Sequence, residues 1–199
     1  MKKINEIFYS LQGEGAHTGV PSVFVRFSGC NMRCYFCDTR HQDGVEMSDE
    51  EIALEVAKYP AEWIILTGGE PSLWIDSKFV RYLKESTGKK IAIETNGSRT
   101  VPEEIDWVTV SPKNGFEGAG DYEIKISKAD ELKVVDLGQD LDQYFGYKCV
   151  STSTKMYLQP CFMEEEEVCA AARKSTVERV LNDPRWTLSL QTHRFLGIL

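Results

Sequence analysis

The sequence predicts a single α/β domain over residues 1–199, an open, partial βα barrel with a mostly parallel sheet. Three observations predict it. Short runs of branched and aromatic residues alternate with amphipathic helical patterns, which implies βαβ units and a parallel sheet. The chain has 199 residues, short of the roughly 250 that a closed (β/α)8 barrel takes. Glycine-rich and polar signatures recur just after the strands, on the face where parallel α/β folds bind ligands.

The expected strands are Ser22–Phe27, Trp63–Leu66, Lys90–Glu94, Trp107–Val110, Leu132–Val135, Lys155–Gln159 and Thr187–Gln191. Each is four to six residues long and β-rich in composition. "SDEEIALEVAKY" opens with a capping box, Ser48 with Glu51 three residues on, and puts Ile52, Val56 and Tyr59 on one helical face. Asp76–Ser86 and Met163–Asn182 are helical by the same pattern, and the second carries four glutamates at its start, where the macrodipole favours them. Asn114–Asp130, "NGFEGAGDYEIKISKAD", is polar and aperiodic and is expected to be a loop in place of a crossover helix. No repeat or linker divides the chain.

Hydrophobic residues make up 42% of the chain, enough for a substantial core, and the formal charge of -8 argues against a nucleic-acid surface. A small-molecule substrate is the better expectation. No apolar run is long enough to span a bilayer, and "MKKINEIFYS" has no apolar signal core, so a cytoplasmic protein is expected. Thiols stay reduced there, and Cys30, Cys34 and Cys37 read as metal ligands or redox groups rather than disulfide partners. Cys149, Cys161 and Cys169 share no such spacing and read as small buried hydrophobes.

"SGCNMRCYFCDTR" thus concentrates three of the six cysteines in one loop after the first strand. With His41 they could form a Cys3His zinc site, although structural zinc normally pins two separated pairs of ligands. An iron–sulfur cluster with three thiolates and one iron left open fits a single loop better. "TGGEP", Thr67–Pro71, is either a turn into a helix or a place where bare backbone meets a ligand. "ETNG", Glu94–Gly97, could be an Asx-type turn.

CxxxCxxC followed by "GGEP" resembles the radical S-adenosylmethionine superfamily. Within it the chain is similar to the 7-carboxy-7-deazaguanine synthase family along nearly its whole length. The matching stretches, in order, are "EIFYSLQGEG", "VRFSGCN", "CDT", "TGGEP", "IAIETNGS", "DWVTVSPK", "ELKVV", "LQP" and "LSLQTHRFLGIL". The resemblance implies a partial TIM-like barrel and a lyase that turns 6-carboxy-5,6,7,8-tetrahydropterin into 7-carboxy-7-deazaguanine, losing ammonia, through a 5′-deoxyadenosyl radical. Downstream lies queuosine.

The resemblance also implies a site. Cys30, Cys34 and Cys37 would ligate a [4Fe-4S] cluster. S-adenosylmethionine would lie among Phe36, Cys37, Asp38, Gly69, Glu70, Asn96, Ser111, Pro112, Lys113, Gln159, Pro160, Cys161 and Phe162. Thr39 would bind Mg2+, which prefers oxygen ligands and often takes only one or two from protein. The substrate would meet Leu11, Gln12, Gly13, Glu14, Arg26, Thr67, His193 and the terminal Leu199, with the Arg26 fork suited to a carboxylate. Further expectations by analogy are a homodimer and an electron donor such as a flavodoxin-type protein. Two other readings stay open here: a glycyl-radical-enzyme activating enzyme, and a non-catalytic iron–sulfur or zinc module.

Overall fold

The computed structural model describes residues 1–39, 41–163 and 165–199. Its strands are β1 (Lys2–Leu11), β2 (Pro21–Phe27), β3 (Val45–Met47), β4 (Trp63–Gly68), β5 (Lys90–Thr95), β6 (Trp107–Val110), β7 (Glu131–Asp136), β8 (Lys155–Pro160) and β9 (Thr187–Leu188). They form one sheet in the order β3-β1-β2-β4-β5-β6-β7-β8-β9. From β2 through β9 neighbours in this order run parallel, whereas β1 is antiparallel to both β2 and β3. The edge strands β3 and β9 do not pair, so the barrel is open, as expected.

Every expected strand is present, though the last shrinks from Thr187–Gln191 to Thr187–Leu188. β1 and β3 are additions. In β1 the register with β2 shifts between Ile4 and Glu6, and this irregularity breaks the period-two alternation by which a strand is recognised in sequence. β3 is only three residues, exposed at two of them.

The helices are α1 (Asp49–Ala57), α2 (Ser77–Thr87), α3 (Glu166–Asn182) and the short α4 (Thr192–Leu196). The capping box forms: Glu51 N donates to Ser48 Oγ and Ser48 N to Glu51 Oε2. α2 starts on Asp76, whose carboxylate accepts from Phe79 N, and stops at Gly88 in the left-handed region. α3 begins at Glu166 rather than Met163, and Glu164, one of its four expected glutamates, lies outside the described residues. Asn114–Asp130 holds neither helix nor strand. α4 was not expected, being too short for a periodic pattern.

Strand alternation separates two layers. One face of the sheet carries Val23, Val25, Phe27, Ile64, Leu66, Ile91 and Ile93, which pack with Ile52 and Val56 of α1 and Phe79, Val80 and Leu83 of α2. Each such side chain contributes about 1.5–3 kcal/mol by leaving water. Register aligns Phe24, Ile65, Ala92 and Trp107 on the opposite, inner face, where the first three form a small separate cluster. His17 lies between Trp63 and Trp107, its ring centroid 4.6 and 4.7 Å from theirs, and fills the end of the barrel where β4 and β6 begin.

The segment after β1 spans the open side. Gly13 O accepts from Thr192 N at 2.9 Å, Gly15 N donates to Ser189 Oγ at 3.0 Å, and Ala16 N donates to Glu131 Oε2 at 2.9 Å. Residues near the start of the chain are thereby fixed to the far edge of the sheet. Among the described residues, no helix is long and apolar enough to cross a membrane.

Candidate functional site

Two residues beyond the apolar inner cluster, strand alternation brings polar side chains to the same face: Arg26 on β2, Thr67 on β4, Glu94 on β5 and, across the barrel, Lys133 on β7 and Gln159 on β8. A cavity of about 310 Å3 opens over them. Its lining joins segments far apart in sequence, because most of them follow or end the parallel strands, while Phe8 and Leu11–Glu14 come from antiparallel β1 and the segment after it.

The cysteine loop forms one wall, with Cys30, Cys34, Phe36, Cys37, Asp38 and Thr39 facing the cavity. Backbone contact holds this loop on two sides. Glu70 N donates to Gly29 O at 3.0 Å, and a β-carbon on Gly69 would come within 2.6 Å of the Gly29 carbonyl carbon. Arg33 N donates to Gly118 O at 2.8 Å, and Gly118, at φ +82°, has no room for a side chain against Arg33. The two glycines permit a closeness that no other residue could. Asn31 adds a third tie, accepting from Asn96 Nδ2 at 3.0 Å and donating to Ser98 Oγ at 2.9 Å.

All three thiols line the cavity, yet among the described residues no three His, Cys, Asp or Glu side chains converge where one ion could sit. Three thiolates on one loop are a donor set that would fit an iron–sulfur cluster with one iron left open. Burial pushes the Cys30 and Cys34 thiols up, while Lys113 beside Cys34 acts in the opposite direction. Lys113 is itself pushed down by burial; its ammonium donates to Ser111 Oγ at 2.6 Å and lies 5.9 Å from the Phe36 ring centroid. A cation held there without a carboxylate partner among the described residues is complementary to an anionic cluster or to a cofactor carboxylate.

Of the other positions implied by resemblance, Gly69, Asn96, Ser111, Lys113, Gln159, Pro160, Cys161 and Phe162 line the cavity. Glu70 and Pro112 instead stand behind its lining. Glu70 is wholly buried, and its carboxylate accepts from Ser72 N at 3.0 Å, Thr95 Oγ1 at 2.7 Å and Asn96 N at 2.7 Å. With those bonds it shapes the turn that presents Asn96. "ETNG" is indeed an Asx-type turn, Ser98 N donating to Asn96 Oδ1 at 2.9 Å, and that turn is how the motif reaches the cavity. Cys149, Cys161 and Cys169 are all buried.

Leu11, Gln12, Gly13, Glu14, Arg26, Thr67, His193 and Leu199 also line the cavity. Arg26 Nε donates to Glu6 Oε1 at 2.7 Å, and its guanidinium lies 5.3 Å from the Phe8 ring, which stacks on Phe24. Ser28, two residues beyond Arg26, is fully buried outside the lining, its hydroxyl donating to Asp43 O. Ser10 Oγ donates to Leu199 O at 2.7 Å and draws the last residues over the site. Burial holds His193 below its usual value despite the nearby Glu14 carboxylate.

Several cavity residues escaped sequence reasoning. Arg194 packs 3.6 Å over the Phe162 ring and donates to Asp38 Oδ2 at 3.0 Å; Gln191 donates to the same oxygen at 2.9 Å. Lys133 and Glu94 were quoted within motifs but given no role. Their signal was available: a charged residue directly beside branched apolar residues in the short strand patterns "IAIE" and "LKVV".

Comparison with known proteins agrees with this geometry. Residues 24–109 match the Radical SAM superfamily. The 7-carboxy-7-deazaguanine synthase of Bacteroides thetaiotaomicron is 52% identical over 198 residues, 100% of this chain and 99% of that protein. The one from Haemophilus influenzae is 36% identical, covering 98% and 93%. The crystal structure of QueE from Escherichia coli superposes with a TM-score of 0.75 at 28% identity, covering 95% of this chain and 93% of that chain. Since the likeness extends from end to end and includes the loop that carries the three cysteines, the chain belongs to the 7-carboxy-7-deazaguanine synthase family of the Radical SAM superfamily.

Proposed function

We propose that this chain converts 6-carboxy-5,6,7,8-tetrahydropterin to 7-carboxy-7-deazaguanine with loss of ammonia. The observation that carries the reading is the common cavity: the three cysteines of the loop and the polar inner face of the strands line one space. Cys30, Cys34 and Cys37 would hold a [4Fe-4S] cluster, and Phe36, Asp38, Asn96, Ser111, Lys113 and Gln159–Phe162 would surround S-adenosylmethionine. When bound and reduced, that pair supplies one-electron cleavage of a carbon–sulfur bond to begin radical chemistry.

The protein's part is binding and orientation. Lys113 offers a cation to the cofactor carboxylate, and the Gly69 backbone can approach the ligand closely. Gln12, Glu14 and Thr67 supply acceptors and donors for a pterin edge. Arg26, already oriented by Glu6, offers its remaining N–H groups to the substrate carboxylate. Thr39, half-buried and lining the cavity, could provide one oxygen to Mg2+, with the rest from water and substrate. His193 and Leu199 close the far side. We also propose a homodimer and a flavodoxin-type electron donor, both by analogy with relatives.

The test is anaerobic turnover. Cluster-loaded protein with S-adenosylmethionine, reductant, Mg2+ and carboxytetrahydropterin is expected to form carboxydeazaguanine and 5′-deoxyadenosine together. Absence of both products from protein with full iron and sulfide content would overturn the reading. Omitting Mg2+ tests the role given to Thr39, which requires a loss of rate.

A further inference from the structure

We propose that Lys133 is a positioning residue for substrate binding: it holds the Glu14 and Glu94 side chains as fixed, ionised acceptors on the cavity wall. The inference rests on the reaction proposed above and concerns how the same site grips its substrate.

Lys133 lies on the inner face of β7 and is 5% exposed, so its ammonium is cut off from water and must find its partners within the protein. It has two. Its Nζ donates to Glu14 Oε2 and, at 3.2 Å, to Glu94 Oε1. Both carboxylates take further hydrogen bonds. Gln12 Nε2 donates to Glu94 Oε1 at 3.0 Å, Thr67 Oγ1 donates to Glu94 Oε2 at 2.9 Å, and Gln191 Nε2 donates to Glu14 Oε1 at 2.8 Å.

The network therefore joins four elements around one cation: the segment after β1, β4, β5 and the approach to α4. Its members Gln12, Glu14, Thr67, Glu94 and Lys133 all line the cavity. A 2-amino-4-oxo pyrimidine ring presents adjacent N–H donors, and ionised carboxylates are the strongest acceptors for such an edge. A carboxylate buried without a cation would take up a proton and lose that capacity.

The charged and titratable groups facing Glu14 and Glu94 are Lys133, Glu131, Lys113 and His193. Burial raises Glu94, but Lys133 with the Thr67 and Gln12 bonds outweighs it and holds Glu94 below the usual glutamate range. Glu131 cannot replace the lysine, since it is another carboxylate. Lys113 does not pair with either glutamate among the described residues. Lys133 is the cation that touches both.

The experiment measures the dissociation constant of carboxytetrahydropterin for the cluster-loaded enzyme, anaerobically, across pH. Lys133→Met should weaken binding about thirtyfold near pH 6, with the ratio to wild type falling as pH rises and the glutamates ionise unaided. The S-adenosylmethionine-induced change in the cluster's spin-resonance signal should stay at the wild-type concentration dependence. A pH-independent loss shared with cofactor binding would mean a merely structural role and would overturn the proposal, as would wild-type affinity.

Because a lone buried carboxylate pair can prevent folding, a second comparison is needed. Lys133→Met added to Glu14→Gln/Glu94→Gln removes the charges together and should change affinity less than about threefold from that double variant, since no carboxylate is left for the lysine to keep ionised. A further tenfold loss would show that Lys133 acts by another route. Wild-type enzyme that binds no pterin counts against the reaction itself; wild-type binding with an unaffected Lys133→Met counts against Lys133 alone.

Discussion

Gly13 lies against the imidazole of His193 so closely that a β-carbon at Gly13 would stand 2.8 Å from the ring Cγ and nearer still to Nδ1. The glycine in "LQGEG" and the histidine in "QTH" are separated by 180 positions in sequence and form one wall. They meet because Thr192, next to His193, donates both N–H and Oγ1 to Gly13 O, at 2.9 and 3.0 Å. Gly13→Ala is expected to displace His193 and raise KM for the pterin about tenfold, with cofactor binding unchanged. Steady-state kinetics alongside a S-adenosylmethionine titration checks this; an unchanged KM refutes it.

Gly69 makes the corresponding contact with the cysteine loop. A methyl group there must push Gly29 away and carry Cys30 with it, because Cys30 N is only 3.2 Å from the same position. Gly69→Ala should lower iron and sulfide per chain after anaerobic reconstitution to about half of wild type or less, while the fold, held by the opposite face of the sheet, remains. Metal analysis with circular dichroism distinguishes the two. Full cluster loading would show that the loop adapts at no cost.

Glu131 is nearly fully buried on the inner face, with Ala16 N donating to its Oε2 at 2.9 Å. Burial raises its carboxyl above the usual glutamate value even though Lys133 acts against the shift. A carboxyl raised in the fold binds its proton more tightly there than in the unfolded chain. Its contribution to stability is therefore full below the ordinary value of about 4.3 and is lost as pH rises through the folded value. Glu131→Gln keeps an acceptor for Ala16 and no longer ionises. Its melting temperature minus that of wild type should rise between about pH 4.5 and about pH 8, read by calorimetry; a flat or falling difference contradicts it.

Much of the architecture was legible because local and global signals agree. The capping box at Ser48 and Glu51, the branched runs of β4 and β5 and the glycine-rich turns after them each depend on neighbours in sequence. β1 was not legible, since its register shift interrupts the alternation and its pairing with β2 and β3 is a long-range relation. Nor was α4, five residues long and secured by tertiary contact rather than by periodicity.

The candidate site divides in the same way. Cysteine spacing, "GGEP" and the "LQGEG" stretch are local patterns, and the chemistry they imply could be read before any fold was known. Glu70 shows the limit: its motif suggested a group facing the cofactor, but its carboxylate is used by Ser72, Thr95 and Asn96, behind the lining. Arg194 and Gln191 reach Asp38 across more than 150 positions, which no spacing rule could anticipate.

The sequence by itself determined the βα order, the three-cysteine loop and the membership that follows from its motifs, all of which are encoded in short runs of residues. Only the tertiary structure decided which charges face one another. Lys133, Glu14 and Glu94 lie on three separate segments, and their pairing follows from strand register, barrel curvature and the segment that spans the open side. Burial of the lysine then makes that pairing obligatory, because an ammonium removed from water must find its partners in the half-buried carboxylates beside it.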